Sequence, residues 1–268
     1  FMKEKEKAKK SQDMINPVSI LGIDIGGSGI KGALVDTVKG ELVSDRYRIA
    51  TPQPATPEKI GYTVKELVDK LNYHGPLGIG FPARVINGLV NSASNIDKSW
   101  INTQADQLFT NICGEKCYIV NDADAAGIAE QRFGAANNQQ GVVMLITVGT
   151  GLGSALFIDG KLVPNTELGH LRMMGNKAEA YASDAARTLD NLSWPEWGAR
   201  FNEYLLYLEF LFTPGLFIIG GGISKKIDNF KKHLTVKADV VPAKLQNQAG
   251  IIGGALWAAD RYKATKLL

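Results

Sequence analysis

The chain has 268 residues, 45% of them hydrophobic and 21% charged, enough for a sizeable buried core in one or two domains. A net charge of +3 is too small to argue for nucleic acid, though it suits an anionic ligand. Two cysteines, Cys113 and Cys117, exclude a disulfide scaffold and with three histidines leave little for zinc, while no apolar run is long enough to cross a bilayer.

Residues 1–17 are rich in Lys and Glu, lack the apolar core of a signal peptide, and read as a disordered tail on a cytoplasmic protein. A strand is predicted from Val18 to Ile25, a returning strand from Gly32 to Asp36, and a third from Leu42 to Ile49. Thr51-Pro-Gln-Pro-Ala-Thr-Pro57 must be a rigid loop, because each proline fixes φ and removes a donor. A helix follows from Glu58 to Tyr73, then a strand from Leu77 to Phe81 and a loop from Pro82 to Gly88. Further along come a helix from Gln104 to Ile112, a buried strand from Cys117 to Val120 and a helix from Ala123 to Phe133. Val142 to Val148 and Ser154 to Ile158 form a hairpin. Helices are expected over Ala178 to Asp190 and Trp197 to Leu211, a strand over Leu216 to Ile219, and a closing helix over Gly250 to Lys263. This order is α/β with an internal duplication: strand hairpin, helices, strand, then the same again.

Two glycine-rich turns carry the chemistry. The first lies in Ile23-Asp-Ile-Gly-Gly-Ser-Gly-Ile-Lys31, the second in Thr147-Val-Gly-Thr-Gly151, and each joins two strands. Glycine lets backbone N–H groups approach an anion closely, so two such turns facing one cleft would grip a phosphate chain from both sides. Gly26, Gly27, Ser28, Gly29, Gly149, Thr150 and Gly151 are the candidate phosphate donors of N–H. Asp24 would repel phosphate unless a cation intervened, and Mg²⁺, held directly or through water, is the natural mediator. Asp122, at the end of a buried strand and the start of a helix, points into the cleft as the candidate base, with Asp124 its nearby competitor.

These segments, with Asn121-Asp-Ala-Asp-Ala-Ala126, Glu167-Leu-Gly-His170 and Ile219-Gly-Gly-Gly-Ile-Ser224, resemble the ROK sugar-kinase family of the actin/hexokinase superfamily. Thr51 to Pro57, Asn95-Ile-Asp-Lys-Ser-Trp100, Pro164-Asn-Thr-Glu-Leu-Gly-His170 and Val241-Pro-Ala-Lys-Leu-Gln-Asn247 are similar to its polyphosphate-using branch. The resemblance implies a duplicated actin-like, ribonuclease H-like fold with two lobes around a central cleft. The expected partition is residues 18–121 plus about 250–268 in one lobe and 122–249 in the other. It implies transfer of a phosphoryl group from polyphosphate, with ATP as an alternative donor, to the 6-hydroxyl of glucose. Asp122 would be catalytic, Asn95, Asn121, Asp122, Glu167, His170 and Glu179 would bind the sugar, and Gly221 and Gly222 would join Lys31 and the two turns on the donor.

Polyphosphate needs an extended basic path; Lys31, Arg84, Lys98, Lys225 and Lys226 are candidates. The Cys-rich zinc loop that follows this histidine in many members is missing, so no structural zinc is expected, and Arg172 stands where the branch resemblance implies an acidic residue. A homodimer is implied, with neither nucleic acid nor membrane as partner. The rivals are an ATP-dependent kinase for another hexose and a non-catalytic sugar sensor; too few residues precede the first turn for the DNA-binding domain of the family's repressors.

Overall fold

The computed structural model of the chain describes residues 19–94 and 96–266; the expectations for the tail at residues 1–17 and for Asn95 lie outside the described residues. Strand β1 (Ser19–Ile25) turns through the first glycine segment into β2 (Ile30–Asp36), and the two pair antiparallel with Asp24 opposite Lys31. The single strand expected over residues 42–49 is two: β3 (Glu41–Leu42) and β4 (Tyr47–Ile49), both paired to β2. The break has a local cause. The Leu34 N–H donates to the Ser44 hydroxyl at 2.9 Å, so a side chain takes the place of a ladder carbonyl.

Helix α1 (Pro57–Lys70) starts on Pro57, whose missing N–H costs nothing in a first turn. Strand β5 (Leu77–Phe81) is buried throughout and runs parallel to β1. The loop expected after it holds a small hairpin, β6 (Val85–Ile86) with β7 (Leu89–Val90). Helix α2 (Ala105–Cys113) ends on Gly114 at φ 76°. Strand β8 (Cys117–Asn121) leads straight into α3 (Asp122–Phe133).

The second half repeats the plan. Strands β9 (Val142–Val148) and β10 (Leu152–Ile158) form the hairpin around the second glycine turn, and β11 (Lys161–Val163) extends it. A short hairpin of β12 (Arg172–Met173) and β13 (Asn176–Lys177) follows; Arg172 is exposed on it. The helix expected over 178–190 is broken at Ser183 into α4 (Ala178–Ala182) and α5 (Asp184–Leu189). Ser183 is extended, with its hydroxyl capping α5 through the Ala186 N–H. Helix α6 (Trp194–Phe212) opens with a Ser193/Glu196 capping box. Strands β14 (Leu216–Gly220) and β15 (Asp239–Pro242) run parallel beside β9, and α7 (Ala249–Lys266) closes the fold.

The first sheet has the order β3-β2-β1-β5-β8 and the second β11-β10-β9-β14-β15, an antiparallel hairpin followed by two parallel strands in each. Three apolar clusters among the described residues cement the layers. One packs α1 and α2 on the outer face of the first sheet; one packs α4 and α6 on the outer face of the second; the third fills the space between the sheets around α3 and α7. Helix α7 lies unusually close to its neighbours. A Cβ on Gly22 would stand 2.0 Å from the Ile251 carbonyl oxygen, one on Gly78 1.8 Å from that of Gly254, and one on Gly253 1.6 Å from that of Ala125.

Candidate active site

Both glycine turns line one cleft of about 430 Å³, together with Asn121, Asp122, Glu167, His170, Glu179, Gly221 and Gly222. The two turns border it through Gly26, Gly27, Gly149, Thr150 and Gly151, while Ser28 and Gly29, also expected there, are not among its lining residues. Each turn is closed by its own backbone: the Gly26 N–H donates to Gly29 at 3.1 Å, and the Gly149 N–H to Gly151 at 3.0 Å.

The first turn is braced by two residues whose role the sequence did not reveal. The Thr51 hydroxyl donates to the Gly26 carbonyl at 2.5 Å, and an Arg48 guanidinium N–H donates to the Ser28 carbonyl at 2.6 Å. The loop bearing Thr51 is itself anchored: the fully buried Trp100 indole donates to the Ala55 carbonyl at 2.9 Å and stacks among Phe81 and Phe109. The Pro-rich loop and the segment ending in Trp100 thus form one support under the turn. The sequence marked both segments as motifs but did not show that one supports the other.

Asp24 is half-buried at the end of β1, with the Lys31 ammonium 3.2 Å from Oδ2. Lys31, expected on the donor, is first of all the counter-charge of Asp24; Arg48 is its cross-strand neighbour on β4. A carboxylate at the foot of a glycine turn fits Mg²⁺, which keeps several waters and takes one or two protein carboxylates. Among the described residues no group of three or more His, Cys, Asp or Glu side chains gathers to hold a metal by itself.

Asp122 is the first residue of α3, aimed at the cleft by the cap beneath it. The Asn121 side-chain oxygen accepts the N–H groups of Ala123 and Asp124 at 2.9 and 3.1 Å, while its amide nitrogen donates to Ala83 at 3.2 Å. Asn121 borders the cleft as expected, but its oxygen is committed to the cap. The Asp122 carboxyl is pushed up to about 7, chiefly because burial penalises its charge, and further by the carboxylates of Asp24 and Glu167; the Ala123 N–H at 2.8 Å pulls the other way. A carboxyl that titrates near neutrality is suited to accept a proton from an alcohol.

Lining the same cleft, His170 sits between two carboxylates. Its Nε2 is 3.2 Å from Glu179 Oε1, and its Nδ1 3.6 Å from Glu167 Oε2. Lys177 also reaches Glu179, at 3.4 Å. Burial raises the Glu167 carboxyl, with His170 and Arg84 opposing the shift. The short 3₁₀ turn at Leu168–His170 and the β12–β13 hairpin bring Glu167, His170 and Glu179 together although the chain separates them. Of the more distant cations, Lys226 lies over the Trp194 ring at 5.6 Å, with Arg187 4.5 Å from the same ring.

The ROK family model matches residues 20–187 of this chain. A polyphosphate glucokinase of Mycobacterium tuberculosis is 47% identical over 236 residues, which are 88% of this chain and 89% of that protein. The crystal structure of an inorganic polyphosphate/ATP-glucomannokinase from Arthrobacter sp. strain KM superimposes with a TM-score of 0.88 at 48% identity, covering 91% of this chain and 99% of that one. A ROK family glucokinase from Streptomyces griseus, in complex with glucose and AMPPNP, gives 0.76 at 26% identity over 90% and 99%.

Proposed function

The chain belongs to the ROK family, and from that premise we propose that it is a glucokinase transferring a phosphoryl group from inorganic polyphosphate, with ATP as a second donor, to the 6-hydroxyl of glucose. The observation that carries this reading is the position of Asp122: burial raises both it and Asp124 to about 7, and Asp122 is the one that lines the cleft shared by two glycine turns and the Glu167–His170–Glu179 cluster.

Each part has a task that follows from its chemistry. The N–H groups of the two turns hold the donor phosphates, with Gly221 and Gly222 lining the same cleft beside the second turn. Glu167, His170 and Glu179 accept and donate hydrogen bonds to ring hydroxyls, and a sugar lacking one of those hydroxyls leaves a buried polar group unpaired. Asp122 takes the proton of the 6-hydroxyl as its oxygen attacks the terminal phosphorus; Asn121 keeps Asp122 in place from the cap. Asp24 would hold a Mg²⁺ ion through water, and that ion supplies charge neutralisation on the donor phosphates. Lys31 adds a fixed positive charge beside Asp24 and stays when the donor leaves.

We place the lobe boundary at residue 121, with α7 completing the first lobe, because α7 covers a face of the first sheet. Exposed apolar residues on α6, with Phe210 at 82% exposure, support a homodimer through that helix. Among the described residues no helix is long and apolar enough to span a membrane.

The test is a coupled assay of purified protein with glucose and each donor in parallel. Glucose 6-phosphate is expected from both. The KM for polyphosphate should rise with ionic strength more steeply than that for ATP, because a longer polyanion is held by more charges. No product from either donor overturns the reading. Mannose belongs in the acceptor panel, since the Arthrobacter relative is a glucomannokinase.

A further inference from the structure

Asp124 is the second carboxylate at the start of α3, two residues beyond the base, and the proposed reaction does not use it. It is fully buried, at 0% exposure. One of its oxygens, Oδ2, accepts the backbone N–H of Asn165 at 2.7 Å; the other, Oδ1, is buried with no hydrogen-bond partner. A buried ionisable group left half-satisfied is costly, and a small apolar residue would fill the place at less expense. What the carboxylate secures is the backbone of Asn165, which sits at φ 59°, a conformation Asn tolerates better than most residues.

Asn165 in turn reaches across the molecule. Its side-chain oxygen accepts the Val85 N–H at 2.9 Å, and its amide nitrogen donates to the Val85 carbonyl at 3.0 Å. One amide thus satisfies both backbone groups of a single residue in β6, as an added strand would. Val85 belongs to the first half of the chain and Asn165 to the second. On the far side of Asn165 the loop is tied down again: the Thr166 hydroxyl donates to the Ser154 carbonyl at 3.1 Å, and the Leu168 N–H donates to the Ser154 hydroxyl at 3.0 Å. Glu167 lies between these fixings and His170 just beyond.

We propose that Asp124 and Asn165 are positioning residues: the Asp124 carboxylate sets the loop before Glu167 from within α3, and the Asn165 amide latches that loop to Val85, so that the sugar-reading side chains are held in register with the opposite half of the molecule. The helix that presents the base at its first residue thereby also places, through its third, the residues that orient the sugar. This rests on the sugar-kinase reading for its kinetic test, but the latch itself has a readout that needs no turnover.

Three variants test it. Asn165→Gly keeps a residue at ease at positive φ and removes both bonds to Val85. Asp124→Ala removes the acceptor for the Asn165 N–H; Asp124→Asn retains one. In Asn165→Gly and Asp124→Ala the KM for glucose is expected to rise about tenfold with the donor KM within about twofold, and Asp124→Asn to restore most of the difference. Hydrogen exchange at the Val85 amide should quicken in Asn165→Gly with or without substrate. Should Asp124→Ala fail to fold, Asn165→Gly decides alone. Unchanged Val85 exchange and glucose KM in Asn165→Gly, or equal rises in the KM of both substrates, overturn the proposal. Fast Val85 exchange in a protein with no kinase activity would instead retain the latch and reject the sugar-kinase reading.

Discussion

Asp122→Asn is expected to bind glucose with nearly the wild-type affinity and to lose about a thousandfold in kcat, the range typical for removing a positioned general base. Asparagine has the same shape and can still accept the Ala123 N–H, so the cap and the helix start survive. What goes is the capacity to take a proton. The wild-type kcat/KM should rise with pH through about 7, because the carboxyl must be ionised to act and burial with its acidic neighbours holds its pKa there. That limb should vanish in the variant. Stability gives an independent check. The folded pKa lies above the ordinary value of 3.8, so the folded state binds the proton more tightly than the unfolded one. Wild-type stability from this group is therefore full below about pH 4 and lost as pH rises to 7. Asp122→Asn, which carries no charge, should melt higher than the wild type above pH 7, with the gap closing towards pH 4. Normal turnover in the variant would remove Asp122 from its role.

Gly253→Ala should be the most damaging single methyl in the molecule. Helix propensity favours the change by roughly 1 kcal/mol. Against it, the new Cβ would stand 1.6 Å from the carbonyl oxygen of Ala125 and 2.4 Å from its carbon, both backbone atoms of α3. No rotamer can relieve that contact, so the helices must part, at a cost of about 3 kcal/mol or more. For a domain of this size the melting temperature should fall by roughly 6–12 °C. Because Asp122 opens α3, the folded fraction should also turn over more slowly. Gly215→Ala, where nothing lies within 4 Å of the added atom, is the matched control and should change little. Equal melting of the two variants would show that the α3–α7 approach is softer than it looks.

Much of this was legible in the sequence because its signals are local. Apolar runs between glycine turns marked β1, β2, β9 and β10, and an Asn–Asp pair after a buried strand marked the start of α3. Helix α6 and the split at Ser183 were also written locally, in Ser193-Trp-Pro-Glu196 and Ser183-Asp-Ala-Ala186, though only a capping reading would have found the split. Strand β15 and the β6–β7 hairpin were missed, since two to four residues with a proline or glycine nearby carry no usable periodicity. In the site, Asp122, Glu167 and His170 were found through motifs. Arg48 lay outside every motif, and Thr51 and Asn165 lay inside two without a role, because each acts on a backbone group 20 to 80 positions away. The glycines of α7 read as ordinary helix weakeners until their partners on β1, β5 and α3 are known.

Helix α7 also sets a timetable. Strands β1, β2, β5 and β8 all lie within residues 19–121, yet the face carrying Ile20, Ala33 and Val35 is roofed by residues 249–259. During translation that face stays bare while the second half is made, an interval on the order of ten seconds at ordinary ribosomal speeds. The first half is thus committed to a long wait as a nascent chain with sticky apolar surface, and removing the stretch from Gly250 onward should leave both halves insoluble rather than one half intact.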